Sequence, residues 1–203
     1  MTVLQALDGY YDRMAQRGDV VAPGYSVEPI GLVISLDEDG KVIDVAIRRD
    51  ASGKKPQSQR VPKWFGRQGI GSTPFFLWDN TAYALGVSNK EAGKTSRDHA
   101  AFKKLHLEQL ADEVDEGLLA LRRFLEEWSP DQFAPPLFDE KMIEQNVAFR
   151  LESKATGEIN GFIHERPAAL TLVEHLRNAA TKRTEVFCLV TARGFPRFSC
   201  IQK

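Results

Sequence analysis

The spacing of apolar residues along the chain predicts both helices and strands. Apolar side chains recur every three or four residues over 2–17, over 97–128 and from Pro167 to about position 183, as they do on the buried face of a helix. The middle segment is weakest at 112–117, so it forms either one long helix or a helical hairpin. Its apolar stripe consists of Phe102, Leu105, Val114, Leu118, Leu121, Leu125 and Trp128.

Segments rich in β-branched residues lie between these helices and predict strands. The order helix, strands, helices, strands, helix, strands predicts an α+β fold with a mostly antiparallel sheet and flanking helices. The first two strands are joined by Asp37-Glu38-Asp39-Gly40, which is typical of a hairpin turn. The predicted strands are Pro29–Leu36, Lys41–Arg49, Phe75–Gly86, Asn146–Glu152, Gly161–Ile163, Val186–Thr191 and Arg197–Ile201.

Residues 50–74 are rich in Gly, Ser, Lys, Pro and Gln, a composition that predicts a long loop with a short strand near Arg60–Lys63. Loops of this length inside a compact domain are usually functional or disordered. We expect residues 54–73 to be poorly ordered without an anionic partner, because like charges crowd together there.

Charge is distributed unevenly along the 203 residues. Lysine and arginine together number 27, and aspartate and glutamate 28, so the formal net charge is −1. Between Lys41 and Arg67, however, eight basic residues face only Asp44 and Asp50, so this segment carries +6 and the remainder −7. Such asymmetry produces a directional field that the near-zero total conceals.

The basic segment has the groups that phosphate binding requires. Fixed cations, small hydroxyls and glycines that let backbone N–H groups approach occur in Gly53-Lys54-Lys55-Pro56 and again over 67–73. The alternative interpretation is a solvated loop whose charge serves solubility. The candidate nucleic-acid-binding residues are Lys54, Lys55, Arg60, Lys63, Arg67, Ser72, Thr73 and Asn80.

Asn80 is a candidate because it interrupts the apolar segment Phe75–Gly86. An amide at a bend can read a base edge, or it can cap the bend through its own backbone. Trp78 and Tyr83 in the same segment either stack on bases or belong to the core.

Catalytic chemistry has no clear signature in the sequence. None of the four histidines stands at metal-ligand spacing from a cysteine or a second histidine, and the glycines of 66–71 lack the lysine and hydroxyl of a phosphate-binding loop. His164-Glu165-Arg166 offers a general base, but it also fits a strand-to-helix junction.

We therefore expect no enzyme activity, no metal and no cofactor. Cys188 and Cys200 are expected to be packing residues in a reducing cytosol. A cytoplasmic location is expected, because the sequence shows neither an export signal nor an apolar run long enough to span a bilayer.

Several blocks of sequence stand out by their order and spacing, and the most specific is Phe76-Leu77-Trp78-Asp79-Asn80. Together they resemble the large subunit of the type I-C CRISPR-associated effector, the Cascade complex. The resemblance covers nearly the whole chain, and only Arg193–Lys203 fits it poorly. The other blocks are Leu4-Gln5-Ala6-Leu7 with Tyr10-Tyr11, the strand pair around Val33–Val45 with Gly53-Lys54-Lys55-Pro56, residues 146–152 with 161–168, and Cys188-Leu189-Val190-Thr191.

The resemblance implies a single α+β domain over 1–203 that forms the N-terminal region of a longer, non-catalytic subunit. The implied function is inspection of the protospacer-adjacent motif in target double-stranded DNA, since base pairing reads the rest of the target. The implied partners are a CRISPR guide RNA complex, the Cascade backbone subunit, the subunit at the 5′ end of the guide, and a helicase-nuclease recruited on target binding. The alternative is a structural adaptor in the same complex that contacts guide RNA or neighbouring subunits without reading DNA.

Overall fold

A computed structural model describes residues 24–63 and 73–180, together with positions 6, 7, 9, 10, 13, 14, 17, 21, 186, 187, 194 and 195. The described positions from 6 to 17 are helical, as predicted for 2–17. The helices that follow are α1 (Thr81–Ala84), α2 (Ala92–Gln109), α3 (Glu116–Glu127) and α4 (Pro167–Ala180). The strands are β1 (Tyr25–Ile30), β2 (Leu32–Leu36), β3 (Val42–Ile47), β4 (Gln57–Pro62), β5 (Trp78–Asn80), β6 (Asn146–Glu152), β7 (Ile159–Phe162), β8 (Val186–Phe187) and β9 (Gly194–Phe195).

The central sheet has the strand order β3-β2-β6-β5, with β7 also paired to β6. Among the strands that the structure describes, only β2 and β6 pair in parallel, so the predicted α+β fold with a mostly antiparallel sheet is confirmed. β2 is buried along its whole length because both of its faces are covered. Leu32, Ile34 and Leu36 pack in the main core with the helices, whereas Val33 packs in a second cluster beneath β1 and β4.

The predicted helical segment 97–128 is a pair of helices with a break between them, as the second alternative proposed. The break falls at 110–115, where Asp115 caps α3 by accepting hydrogen bonds from the N–H groups of Gly117 and Leu118. The assignment of Val114 to the apolar stripe is wrong, because this residue lies in the break and is 85 % exposed.

Two further expectations are corrected by the structure. Phe75–Gly86 is not one strand: only Trp78–Asn80 is extended, and helix α1 follows because the Asn80 side chain caps it. The expectation of poor order is wrong for Gln57–Pro62, which forms a six-residue strand hydrogen-bonded to β1. Residues 64–72, including Arg67 and Ser72, lie outside the described residues.

Near the C-terminus, positions 186–187 pair with positions 194–195. Most of the predicted strand Val186–Thr191, all of Arg197–Ile201 and both cysteines lie outside the described residues. Within the described ranges, no helix combines the length and the apolar content needed to cross a bilayer.

Candidate nucleic-acid interface

A short basic loop projects from the sheet between β3 and β4. β3 pairs antiparallel with β2, and β4 pairs antiparallel with β1, the strand just before β2 in the sequence. The residues that connect β3 to β4 therefore project from the middle of one long antiparallel ladder. An antiparallel β-bridge between Arg49 and Pro56 joins the two ends of this loop, and the Asp50 N–H donates to the Lys55 carbonyl at 2.8 Å. We call residues 48–55 the basic tip.

Asp50 organises the basic tip from inside. Its carboxylate accepts hydrogen bonds from the Ser52 hydroxyl at 2.7 Å and from the N–H groups of Lys54 and Lys55 at 3.2 and 3.3 Å. The Ser52 hydroxyl and these amides hold the pKa of the Asp50 carboxyl below its ordinary value. Gly53 completes the turn with φ of +70°, which an L side chain rarely adopts. The acid therefore shapes the loop, while Lys54 and Lys55 are exposed.

The cations of this segment are not neutralised locally. Among the described residues, no carboxylate lies within 4.0 Å of any cationic nitrogen of Lys41, Arg48, Arg49, Lys54, Lys55, Arg60 or Lys63. Basic residues elsewhere do form ion pairs, namely Lys90, Lys104, Arg122, Arg150, Lys154 and Arg166. The uneven charge in the sequence thus becomes an uneven field on the surface.

Two aromatic rings hold guanidinium groups of this surface. The Arg48 Cζ lies 5.4 Å from the centroid of Phe162, and the Arg60 Cζ lies 5.7 Å from that of Tyr25. Cation–π contacts of this kind restrict a flexible cation without neutralising it.

His164 supports the same surface from beneath. Its Nε2 lies 3.0 Å from the Arg60 carbonyl oxygen, and its ring stacks on Phe162 at 5.1 Å. Because a carbonyl can only accept, Nε2 carries the proton of the neutral ring. Burial lowers the pKa of His164 to about 4, so the imidazole stays neutral at physiological pH.

The described candidate residues form a stripe and not one cluster. Lys54 and Lys55 lie on the basic tip, and Arg60 is exposed on β4. Lys63 follows β4, whose six residues span about 20 Å, so it lies far from the tip. Thr73 is half-buried at the start of the segment that leads into β5.

Asn80 lies at the same end of the central sheet as the basic tip. It is opposite Asn146, whose carbonyl accepts from Gly31, and the Gly31 carbonyl accepts from Arg48. Three inter-strand steps therefore separate Asn80 from the base of the tip, a distance of about 14 Å. Its Oδ1 accepts from the N–H groups of Ala82 and Tyr83 at 3.0 and 3.3 Å, so the capping interpretation holds for this oxygen. Reading of a base edge stays a prediction for its amide nitrogen.

The aromatic residues beside Asn80 belong to the core. Trp78 and Tyr83 are buried, and the Trp78 indole N–H donates to the Pro62 carbonyl at 2.8 Å. The hypothesis that they stack on bases is therefore wrong. Trp78 instead fixes the end of β4, on which Arg60 lies.

Sequence reasoning missed two residues of the basic tip. Arg48 and Arg49 were counted in the basic segment, but they fell at the end of a predicted strand and were not taken as site residues. The bridge at Arg49 shows that the strand ends before them. The charged pair Arg48-Arg49 following four β-branched residues was the available signal.

Comparison with known families gives the context for this surface. The model of the family described as CRISPR-associated protein (Cas_Csd1) matches residues 7–196. The chain belongs to the Cas_Csd1 family. The CRISPR-associated part of the sequence resemblance is thereby confirmed, and the match includes the basic tip, Asn80 and all of the central sheet of this Cas_Csd1 protein. No curated protein matches the chain.

Proposed function

We propose that this Cas_Csd1 protein is the N-terminal region of the type I-C Cascade large subunit and that it binds target duplex DNA at the protospacer-adjacent motif. The observation that carries the proposal is the projecting basic tip, whose Arg48, Arg49, Lys54 and Lys55 have no ion-pair partner among the described residues. A narrow, ordered projection with unpaired cations suits the phosphates beside a DNA groove.

The division of labour in such a complex explains why a small surface is enough. Guide RNA reads most of the target by base pairing, so the protein needs to engage only a short duplex motif. Phosphate contacts from the tip and from Arg60 would set the position, and Asn80 lies near enough to read an adjacent base edge. The partners would be the guide RNA complex, the Cascade backbone and 5′-end subunits, and a helicase-nuclease recruited on target binding.

A non-catalytic role is part of the proposal, and the state of the histidines supports it. His99, His106 and His164 are buried, and each already binds a backbone carbonyl through a ring nitrogen. Glu165, the neighbour that suggested a general base, accepts a hydrogen bond from the Gln59 side chain instead. These side chains are engaged in hydrogen bonds within the described part of the chain.

The proposal is tested in the assembled complex with Lys54→Ala and Lys55→Ala combined. We expect duplex binding to weaken alike for correct and altered motifs, while the complex assembles normally. The matched control combines Lys104→Ala and Lys141→Ala, which removes the same charge from exposed positions elsewhere. Failure of the lysine variant to assemble would favour the adaptor alternative, and unchanged DNA binding would overturn the proposal.

Salt dependence gives a second measurement. If four to six phosphates are neutralised, log K against log[salt] should have a slope of roughly −4 to −5, at about −0.9 per contact. The double lysine variant should reduce that slope by about 2. Binding that is insensitive to salt would show that the tip is not a phosphate contact.

A further inference from the structure

The two-stranded ribbon formed by β1 and β4 has one packed face and one open face. Ile30 and Val61 lie on the packed face and are buried in the second core cluster. Because side chains alternate along a strand, the residues next to these two point the other way. Val27 is 53 % exposed there, although it is a large apolar residue. We call the four exposed residues of the open face the ribbon face: Val27 opposite Arg60, and Pro29 opposite Ser58.

The edges of the ribbon are occupied at the level of these residues. On the β4 edge, the Arg60 carbonyl oxygen lies 3.0 Å from Nε2 of His164, which donates to it. On the β1 edge, the Pro29 carbonyl accepts from Nδ2 of Asn146 at 2.9 Å, and proline has no N–H to donate. A further strand would have to compete with both bonds. A partner therefore reaches the ribbon through its open face and not through strand addition.

Cations lie at both ends of the ribbon face. Lys54 and Lys55 precede β4 and Lys63 follows it, and all three are exposed. The Arg60 Cζ lies 5.7 Å from the ring centroid of Tyr25, the first residue of β1, which is paired with the last residue of β4. This guanidinium therefore lies towards the Lys63 end. The centre of the face is uncharged.

No carboxylate interrupts the ribbon face. Glu28 is the only acidic residue in the two strands, and it lies opposite Gln59 on the packed side, where it is half-buried. The face also adjoins the strand that carries Asn80, because Pro29 is bonded to Asn146, and Asn146 is opposite Asn80. Charge complementarity and continuity with the proposed DNA-binding surface therefore both favour DNA as the partner of this face.

The dimensions and chemistry of the ribbon match the major groove of B-DNA. Paired strands lie about 4.8 Å apart, and a groove about 12 Å wide admits such a ribbon, whereas the minor groove is only about 6 Å wide. Phosphates border the groove and base edges form its floor, so cations at the ends of a ribbon and uncharged residues at its centre suit it. The C5-methyl of thymine is the apolar group on that floor, and Val27 is its counterpart on the ribbon face.

We propose that the ribbon face lies in the major groove of the target duplex and that Val27 contacts the C5-methyl group of a thymine. Lys54 and Lys55 at one end and Lys63 at the other contact phosphates, and the Ser58 hydroxyl lies beside the base edges. The inference rests on the proposed binding of duplex DNA. It adds the groove that is occupied and an uncharged residue that determines specificity.

The test measures binding of the assembled complex to two target duplexes that differ in one group. In the second duplex, deoxyuridine replaces every thymidine of the flanking motif and its adjoining base pairs, on both strands, which removes the methyl group and keeps base pairing. We expect the thymine duplex to bind about fourfold more tightly, the value of one buried methyl group. Val27→Ala should lose this preference and bind the thymine duplex about fourfold less tightly. Val114→Ala, which shortens an exposed valine in the break between α2 and α3, is the matched control and should keep the preference.

Equal binding of the two duplexes by the unaltered complex would overturn the proposal, and this comparison needs no variant. A preference that survives Val27→Ala would overturn it as well, as would failure of the folded variant to assemble, which would show that the ribbon face contacts a protein subunit. The combined Lys54→Ala and Lys55→Ala variant should weaken binding of both duplexes and keep their ratio. Equal binding that still depends on these lysines would refute the ribbon contact alone, so its failure and that of the proposed function are distinguishable.

Discussion

The backbone N–H of Leu77 donates a 2.8 Å hydrogen bond to Nε2 of His106. Leu77 has φ of +67°, a left-handed conformation that is unfavourable for a branched side chain, and it lies immediately before β5. The His106 Nδ1 lies 2.8 Å from the Phe102 carbonyl oxygen, so both ring nitrogens are satisfied in the neutral tautomer. The neutral side chain of His106 therefore stabilises the turn at Leu77, and this turn positions Trp78 and Asn80 in β5.

We predict that stability falls as pH is lowered from about 6.5 towards 4. Burial lowers the pKa of both His106 and His164 to about 4, whereas an unfolded histidine titrates near 6.5. The unfolded chain then binds protons that the folded chain excludes, so stability is full above the unfolded pKa and is lost as pH falls through this window. Each ring contributes at most about 3 kcal/mol.

Urea unfolding at pH values from about 7.5 to 4.5 measures this effect. His106→Gln should reduce the pH dependence to the part that is due to His164, at the cost of lower stability at neutral pH. His175→Gln, at an exposed position on α4, is the control and should leave the pH dependence unchanged. A free energy of unfolding that is constant over this range in the unaltered chain would contradict the prediction.

The glycines of two turns should differ in their tolerance of alanine. Gly40 has φ of +81°, and a Cβ there would lie 2.5 Å from the backbone N of Phe124 and 2.7 Å from the Ala120 carbonyl oxygen. Gly53 has φ of +70°, but a Cβ there meets nothing within 4 Å. We expect Gly53→Ala to cost about 1–2 kcal/mol from backbone strain alone, and Gly40→Ala to cost more, because α3 must also move. Chemical denaturation measures both, and equal losses would show that the approach of α3 to this turn is not close.

The ion pair between Asp115 and Arg166 should contribute more than an ordinary surface pair. The Arg166 Nε lies 2.6 Å from the same Asp115 oxygen that caps α3, so one carboxylate joins α3 to the start of α4. Burial alone would raise the pKa of Asp115, but the bonds from Arg166 and from the helix amides outweigh it and lower that pKa. The contribution to stability is therefore present above the ordinary aspartate pKa and is lost at more acid pH.

We expect Asp115→Ala to cost about 2–3 kcal/mol, since both the cap and the charged partner are lost. Asp115→Ser should recover part of this loss, because serine caps a helix but cannot pair with Arg166. Lys104→Ala breaks an exposed pair with Glu108 and should change the unfolding free energy by less than about 0.5 kcal/mol. A loss for Asp115→Ala as small as that of Lys104→Ala would refute the assignment.

The sequence predicts those elements that local pattern determines. β6 has the predicted bounds Asn146–Glu152, because the apolar residues Val147, Ala148, Phe149 and Leu151 suit a buried central strand. Phe75–Gly86 was mispredicted because its apolar composition outweighed a local signal, an asparagine before Thr-Ala-Tyr-Ala that is typical of a helix start.

The candidate site could be predicted only in part. The basic segment can be located by counting charges along the sequence. The ordered conformation of the basic tip cannot be predicted in this way, because it depends on hydrogen bonds to Asp50, and a charge count shows this residue only as a negative charge. The bond from Leu77 to His106 spans 29 residues, and no local pattern in a single sequence indicates such a contact. Contacts between residues that are far apart in the sequence can be identified only from the three-dimensional structure.

Two substitutions of Asp50 separate the effect of its charge on DNA binding from the effect of its hydrogen bonds, which order the basic tip. Asp50→Asn and Asp50→Ala remove the same negative charge, but only asparagine keeps an oxygen that can accept from Ser52 and the Lys54 N–H. We expect Asp50→Asn to tighten duplex DNA binding by about twofold through electrostatics. Asp50→Ala should bind more weakly than Asp50→Asn, because the lysines lose their fixed positions. Equal affinities of the two variants, measured by fluorescence anisotropy at one salt concentration, would show that only charge matters.

Asn80 and the lysines of the basic tip should have separable roles in the complex. A lysine is a flexible point charge that serves any phosphate, whereas an amide has directional groups that a wrong base leaves unpaired at about 1–3 kcal/mol. The Oδ1 of Asn80 caps α1, so Asn80→Ala would disturb the fold as well as any contact with DNA. Asn80→Ser is the sharper variant, because serine also caps helices but lacks the amide N–H₂.

We expect Asn80→Ser to retain the stability of the chain within about 0.5 kcal/mol and to lower the ratio of affinities for correct and altered flanking motifs. The combined Lys54→Ala and Lys55→Ala variant should lower both affinities and leave that ratio unchanged. A hydroxyl, like an amide, has directional donors and acceptors, so we predict the same role for Ser72 and Thr73, which can be changed to alanine in the same assay. An unchanged ratio for Asn80→Ser in a fully stable complex would assign Asn80 to helix capping alone, and motif reading would then have to come from other side chains near the basic tip.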